Sequence, residues 1–236
     1  MPKKKVHKAP RKRSSRKKSN ILTSKYSKLG FIILLFVCTY GYLKYRSHGI
    51  GTGTYLSHSI SLKRTRDNYG LQLENLGRQF KISHSYLKAL TTLECSGRTE
   101  FPPRFEEHVF QELKRVRDGN KKRYGSITRK IIGDASDDAL KNLATSWGPF
   151  QLMGYQCIEL GVNVADIRGE NSLYWGVYWI DKRYGDYLKK KKYQDAFHIH
   201  NTGRPFPHNG SSKTYDPHYV ENGLKFMEFF EETSYE

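Results

Sequence analysis

Glu94 lies on the apolar side of a predicted helix and is the first candidate for chemistry. The spacing predicts a helix over His84–Glu94, and Glu94 follows Leu87 by seven positions and Leu90 by four, which places all three on one face. An unpaired carboxylate is costly to bury. The group therefore either pairs, with backbone or with a cation such as Arg98, or is held protonated, the state that a general acid needs.

Two further carboxyl groups, Glu106 and Glu107, follow 12 and 13 residues after Glu94. Glycosidases usually place two carboxyl groups around the bond that they break. Either Glu106 or Glu107 is therefore a candidate for the second carboxyl group. The alternative is that the pair lies on a solvated helix face.

The segment Ser146–Gly154 reads SWGPFQLMG and predicts a Gly-Pro turn. Such a turn would bring Trp147 and Gln151 close together. The Trp ring can stack on a sugar face, and the Gln amide can bridge sugar acetamide and hydroxyl groups. The alternative is a loop with a core Trp and a capping Gln.

Other chemistries find little support in the residues. The segment Phe197–Gly203 holds two His, which is too few to predict a metal site, and there is no G-x-S-x-G or phosphate-binding loop. We expect no metal and no organic cofactor. Cys95, beside Glu94, is the only candidate thiol nucleophile. A disulfide between Cys95 and Cys157 stays open.

The pattern along the chain predicts a mainly α domain with a minor hairpin. Ser83 is the predicted N-cap of the helix that carries Glu94, and Asp216 with Pro217 predicts the start of the last helix. The hairpin is expected in Thr99–Arg104. The other predicted helices are Asn68–Phe80, Phe105–Val116, Asp137–Ala144, Phe150–Leu160, Asn171–Leu188 and Gln194–His200.

The positive charge is concentrated at the N-terminus. The chain carries +18 overall, but residues 1–46 hold 14 of the 41 Lys and Arg and no acidic residue, so the remainder has 27 basic and 23 acidic residues and a net charge of +4. A nucleic-acid-binding function through this tail is a second alternative. No nucleic-acid partner is expected, because an apolar run follows the tail and no DNA- or RNA-binding motif is present.

Four segments are predicted. Residues 1–28 form a disordered basic tail, 29–46 a single transmembrane signal-anchor, 47–64 a linker and 65–236 the folded domain. The anchor contains the uncharged 15-residue run Leu29–Leu43, flanked by Lys and Arg. A cleaved signal peptide is the alternative. The positive-inside rule places the tail in the cytoplasm and the domain outside the inner membrane.

Four blocks, taken in order, resemble the lysozyme-like superfamily of lytic transglycosylases, goose-type lysozymes and phage-type N-acetylmuramidases. Leu93–Gly97 resembles the end of the helix that carries their acid, and Ser146–Gly154 resembles their Gly-x-x-Gln-Leu/Ile-Met segment. His200–Gly203 is similar to their Tyr-Asn-x-Gly segment, and Phe105–Phe110 to a muramidase block. Cys95 replaces a small polar residue and His200 replaces Tyr.

The resemblance implies a lysozyme-like α+β fold and cleavage of peptidoglycan glycan strands between N-acetylmuramic acid and N-acetylglucosamine, with Glu94 as acid. If Glu106 activates water the enzyme is a muramidase, and if the muramyl 6-hydroxyl attacks it is a lytic transglycosylase. The muramidase block favours hydrolysis. An inactive wall-binding or scaffolding protein is the first alternative. The expected substrate-binding residues are Trp147, Gln151, Met153, Asn201 and Tyr219.

Overall fold

The computed structural model describes residues 57–100 and 102–233, and over these ranges the chain is mainly helical with two small antiparallel sheets. The helices are α1 (57–80), α2 (His84–Cys95), α3 (Glu107–Arg117), α4 (Arg129–Ile132), α5 (Asp137–Leu143), α6 (Gln156–Leu160), α7 (Val164–Arg168), α8 (Ser172–Lys189), α9 (Tyr193–Thr202) and α10 (Tyr219–Glu232). The strands are β1 (Arg104–Phe105), β2 (Arg123–Tyr124), β3 (Ile127–Thr128), β4 (Thr145–Trp147) and β5 (Leu152–Met153).

Helix α2 lies at the centre of the domain, and most of its residues are buried. It begins as predicted, because the Ser83 hydroxyl accepts a hydrogen bond from the Tyr86 amide. Helix α10 packs along it, and α9 packs against both α8 and α10. A buried hydrogen bond of 2.8 Å between the hydroxyls of Thr65 and Thr92 joins α1 to α2. Elements from both ends of the described chain thus fix the helix that carries Glu94.

The three-stranded sheet connects distant parts of the sequence. Strand β4 lies in the middle, with β1 and β5 antiparallel on either side. The hairpin expected in Thr99–Arg104 is therefore wrong, because Arg104 pairs with Ser146 and the local hairpin is β2–β3. The helix predicted over Phe150–Leu160 is also wrong in its first half. The backbone of Gln151 has a φ of 49°, and β5 follows it before α6 begins.

Three other boundaries differ from the sequence prediction. Residues 57–64, part of the predicted linker, are helical and bury Leu62; the glycines that suggested a linker all precede residue 57. Asp216 is not the N-cap of α10, because its carboxylate accepts from the His218 amide in the preceding turn and His218 occupies the cap. The predicted long helix α8 is interrupted at Tyr184, whose φ and ψ are −148° and 22°.

The structure does not reach the N-terminal segments predicted from the sequence. The basic tail, the signal-anchor at 29–46 and residues 47–56 lie outside the described residues. In the ranges 57–100 and 102–233, no helix combines the length and the hydropathy needed to span a bilayer.

Candidate active site

Glu94 lies in the last turn of α2 with its side chain only 15% exposed. Its Oε1 accepts a hydrogen bond from the hydroxyl of Tyr219, which α10 brings from 125 positions away. The partner of this carboxyl in the described structure is thus a tyrosine and not the exposed Arg98. The predicted position of Glu94 on the apolar face is confirmed, and a buried carboxyl with a single neutral donor is chemically able to carry and release a proton.

The chain beyond Glu94 makes a tight turn that only glycine permits. Gly97 has a φ of 67°, and a Cβ atom added there would lie 2.3 Å from the backbone nitrogen of Thr65. The Tyr69 hydroxyl of α1 donates to the Arg98 carbonyl at 2.6 Å. These contacts fix the end of α2 against α1, and thereby the position of Glu94.

His200 lies beside Glu94, with 3.7 Å between its Nε2 and the Oε1 of Glu94. The same Nε2 is 3.2 Å from the Phe150 carbonyl oxygen, and Nδ1 is 2.7 Å from the Tyr184 hydroxyl. Burial lowers the pKa of His200, and this effect exceeds the opposing attraction of Glu94. His200 is therefore a neutral imidazole at neutral pH.

The predicted turn at Ser146–Gly154 is present. Gly148 adopts a φ of 71°, and the Gln151 amide nitrogen donates back to the Gly148 carbonyl at 3.2 Å. The Ser146 hydroxyl donates to the Gln151 amide oxygen at 2.8 Å. Gln151 is thus fixed by its own turn, and a sugar contact through its amide would compete with these bonds.

Two cavities meet at this turn. The Trp147 cavity has a volume of about 770 Å³ and is lined in part by Trp147, Gly148 and Pro149. The His200 cavity has a volume of about 280 Å³, and its lining includes the next residue of the turn, Phe150. Other polar or aromatic residues of the Trp147 cavity are Asn68, Tyr69, Gln72, Glu100, Arg168 and Glu170. The His200 cavity also holds Gln151, Met153, Tyr155, Trp179, Arg183 and Asn201.

Trp147 presents a fixed ring to its cavity. Its indole nitrogen donates to the Asn142 carbonyl at 3.0 Å, and the Arg168 guanidinium lies 5.7 Å from the ring centroid. Sequence reasoning missed Arg168, since a basic residue at the end of a short helix carries no distinctive pattern. A concave surface lined by rings and a few polar groups is typical of a ligand-binding site.

Glu106 forms ion pairs of its own. Its side chain is 22% exposed, with Arg104 Nε at 2.7 Å and His108 Nδ1 at 3.6 Å from its carboxylate oxygens. Like Glu94, it is not among the residues that line the Trp147 cavity or the His200 cavity. Glu107 accepts from Gln111 on the exposed face of α3. A role for Glu106 as a base stays a prediction.

The thiols of Cys95 and Cys157 are free and buried. Burial raises the pKa of each to about 11, which disfavours the thiolate that a nucleophile needs. The Cys95 thiol also donates to the Thr91 carbonyl at 3.2 Å. The alternative of a cysteine hydrolase thus has no support in these groups.

His198, the other histidine of the predicted pair, is used structurally. Its Nδ1 is 2.7 Å from the Arg204 carbonyl, and its Nε2 accepts from the Lys213 amide at 3.1 Å. Over residues 57–100 and 102–233, no three His, Cys, Asp or Glu side chains cluster in a way that could hold a metal ion. The two histidines have separate roles, and only His200 contacts the candidate acid.

Comparison with known proteins gives little beyond the geometry. No protein-family model matches the chain, and no curated protein matches it. Among solved structures, the crystal structure of Burkholderia AP3 phage endolysin is similar at 18% identity and a TM-score of 0.47, over 68% of this chain and 70% of that chain. A likeness at this level leaves family and activity to be argued from the site.

The structure brings some of the predicted site residues together and separates others. Tyr219, expected to bind substrate, contacts Glu94 directly, and its role in substrate binding stays a prediction. Met153 and Asn201 lie in the His200 cavity as neighbours of Gln151, and Trp147 lies in the adjoining cavity. The contact of His200 with Glu94 was not predicted, although the His200–Gly203 block marked the segment.

Proposed function

We propose that this protein cleaves the glycan strands of peptidoglycan between N-acetylmuramic acid and N-acetylglucosamine, with Glu94 as the general acid. The observation that carries the proposal is the setting of Glu94: a largely buried carboxyl that receives one hydrogen bond from Tyr219 and lies beside a neutral His200. His200, which lies 3.7 Å from Glu94, lines the His200 cavity, and residues of the same turn line the Trp147 cavity.

The reaction begins with transfer of the Glu94 proton to the glycosidic oxygen. The carbon–oxygen bond then breaks, and positive charge develops at the anomeric carbon. The Glu94 carboxylate that forms is stabilised by the Tyr219 hydroxyl, which keeps donating to Oε1. Trp147, Met153 and Asn201 would contact the sugars, and Gln151 would do so after rearranging its local bonds.

Two routes complete the reaction. In hydrolysis, Glu106 activates water, which requires its carboxylate to leave Arg104 and approach the cleaved bond. In the transglycosylase route, the muramyl 6-hydroxyl attacks the same carbon and Glu94 takes up its proton. The second route needs Glu94 alone, whereas hydrolysis also requires Glu106 to leave an ion pair with the exposed Arg104, which costs about 0–1 kcal/mol, so the muramidase block still favours hydrolysis.

Digestion of purified peptidoglycan by the full-length chain tests the proposal, with products read by mass spectrometry. We expect muropeptides from the wild type and a loss of about a hundredfold to ten-thousandfold in Glu94→Gln. Glu228→Gln, at an exposed position on α10, is the matched control and keeps wild-type activity. Reducing ends identify a muramidase, and 1,6-anhydro ends identify a transglycosylase.

Equal release of muropeptides by wild type and Glu94→Gln would refute the role of Glu94. If neither protein cleaves walls of several compositions but both bind them, the chain is a wall-binding protein without turnover.

We also propose that residues 29–46 anchor the chain in the inner membrane with the folded domain outside. The support is the apolar run between basic flanks and the basic tail before it. Membrane fractionation and protease treatment of spheroplasts test this orientation. Cleavage of the domain in intact spheroplasts is expected, and a soluble chain with a processed N-terminus would instead show a signal peptide.

A further inference from the structure

Three buried side chains behind Glu94 form a continuous hydrogen-bonded chain that the proposed reaction does not itself explain. The Tyr86 hydroxyl of α2 donates to the Tyr184 hydroxyl of α8 at 3.2 Å. The Tyr184 hydroxyl lies 2.7 Å from Nδ1 of His200, whose side chain is only 7% exposed. The chain ends beside the candidate acid, because Nε2 of His200 is 3.7 Å from Oε1 of Glu94.

The positions of the hydrogens in this series of hydrogen bonds can be assigned from one group that can only accept. The Phe150 carbonyl can only accept, so the nitrogen 3.2 Å from it, Nε2 of His200, carries the hydrogen. In a neutral ring Nδ1 is then a bare acceptor, and the Tyr184 hydroxyl donates to it. The Tyr184 oxygen is left to accept from Tyr86. Every hydrogen in the chain has one consistent assignment.

The backbone conformation at Tyr184 is consistent with a specific role for this side chain. This residue interrupts α8 with a non-helical φ of −148°, at the position whose ring reaches His200. Tyr184 and Tyr86 are both buried, and burial raises the pKa of both phenols, so they remain neutral donors.

The groups that face His200 come from several elements. Glu94 on α2 is the charged group in contact with it, and Tyr184 on α8 is the hydroxyl partner. Arg183, also on α8, lines the same cavity, and Tyr219 on α10 reaches His200 only through Glu94. Burial lowers the pKa of His200 despite the nearby carboxylate.

We infer that His200 is a positioning residue for the proposed cleavage. Tyr184 holds the ring neutral in its Nε2–H form. In this form His200 fixes the Phe150 carbonyl, and with it the turn that carries Gln151, beside the carboxyl of Glu94. This inference rests on the proposed function and deepens it. Because Oε1 of Glu94 accepts from the Tyr219 hydroxyl, the transferable proton belongs on Oε2.

Protonation of His200 would disable this arrangement in two ways. A hydrogen on Nδ1 would prevent the Tyr184 hydroxyl from donating to His200, so this hydroxyl would turn toward Tyr86. The Tyr86 hydroxyl could then no longer donate to Tyr184 and, being fully buried, would need another acceptor. A positive charge would also replace a neutral ring 3.7 Å from Oε1 of Glu94 and change the electrostatic field at the acid. Activity should therefore fall on the acidic side as His200 becomes charged.

The pH dependence of kcat for the full-length protein on peptidoglycan tests the role of the hydrogen bonds that join Tyr86, Tyr184 and His200. Tyr184→Phe removes the donor that favours the neutral ring, so we expect the acidic limb to move to higher pH by about 0.5–1 unit. Tyr86→Phe is the matched control, because it leaves the bond between Tyr184 and His200 intact and should shift the limb less. In His200→Gln, we expect the limb to disappear, kcat to fall about tenfold and KM to change little.

A readout that needs no activity accompanies the kinetics. The ¹⁵N NMR signals of the His200 ring in the full-length chain, assigned by their loss in His200→Gln, should show the Nε2–H form at neutral pH. A protonated ring, or the Nδ1–H form, at neutral pH would overturn the inference. Thermal unfolding of each variant separates loss of fold from loss of positioning.

The outcomes for the inference and for the proposed function are distinct. An active wild type whose acidic limb is unmoved in Tyr184→Phe and retained in His200→Gln overturns the inference and leaves the cleavage function standing. A wild type that cleaves no peptidoglycan overturns both.

Discussion

Replacing Tyr219 by Phe removes one hydroxyl group from the candidate active site and leaves the ring in place. The lost bond is the donation from the Tyr219 hydroxyl to Oε1 of Glu94. Since a hydrogen bond to a charged group contributes about 1.5–3 kcal/mol, and the Glu94 carboxylate forms only as the proton leaves, the loss falls mainly on the transition state. A cost of about 2 kcal/mol corresponds to a fall of roughly thirtyfold in kcat.

The assay is the initial rate of muropeptide release at saturating peptidoglycan, together with thermal unfolding. We expect KM and the melting temperature of Tyr219→Phe to remain near wild type, because the substitution conserves volume at a buried position. Tyr215→Phe, at a fully exposed ring, is the control and should keep full activity. A Tyr219→Phe enzyme with wild-type kcat would refute the reasoning that this hydroxyl stabilises Glu94 after proton transfer.

Three further changes test the scaffold and the cleft. Gly97→Ala places a Cβ 2.3 Å from the Thr65 nitrogen at a φ of 67°, and should lower the unfolding free energy by about 3 kcal/mol; an unchanged denaturation midpoint would contradict this. Glu74→Gln leaves Lys88 buried without its 2.7 Å partner and, because Glu74 is partly exposed, should cost about 2 kcal/mol at pH 7. The hydrogen bond from Lys88 lowers the pKa of Glu74 below 4.5. The difference in unfolding free energy between wild type and Glu74→Gln should therefore be complete above pH 4.5 and vanish as the pH falls through the lowered pKa. A difference that does not change with pH would exclude this account. Trp147→Ala should weaken co-sedimentation with peptidoglycan about tenfold, and undiminished binding would show that the ring does not contact the glycan.

The sequence contained enough local information to predict the helix that carries the acid. Ser83 caps it, and the spacing of Leu87, Leu90 and Glu94 places the carboxyl on its buried face, as observed. Helix periodicity and capping depend on residues a few positions apart, so both can be recognised without the fold. The mainly helical composition with a minor sheet was predicted for the same reason.

Predictions that depended on distant residues were less successful. The Phe150–Leu160 helix was expected from apolar spacing, but pairing of β5 with β4 and the left-handed backbone at Gln151 replace its first half. The hairpin expected in Thr99–Arg104 is absent because Arg104 pairs with Ser146 instead. In both cases, pairing between strands outweighs the local pattern, since the buried backbone groups need hydrogen-bond partners.

The sequence by itself determined that Glu94 lies on the apolar face of α2, that a Gly-Pro turn lies between Trp147 and Gln151, and that the charge of the chain is concentrated in its first 46 residues. Only the tertiary structure decided what surrounds the carboxyl. Tyr219 and His200 lie 125 and 106 positions beyond Glu94, and they reach it because α10 packs along α2 and α9 packs against α10. Whether a carboxyl lies beside a cation, a hydroxyl or a neutral ring depends on which helices pack together, and this packing depends on the side chains of the whole core.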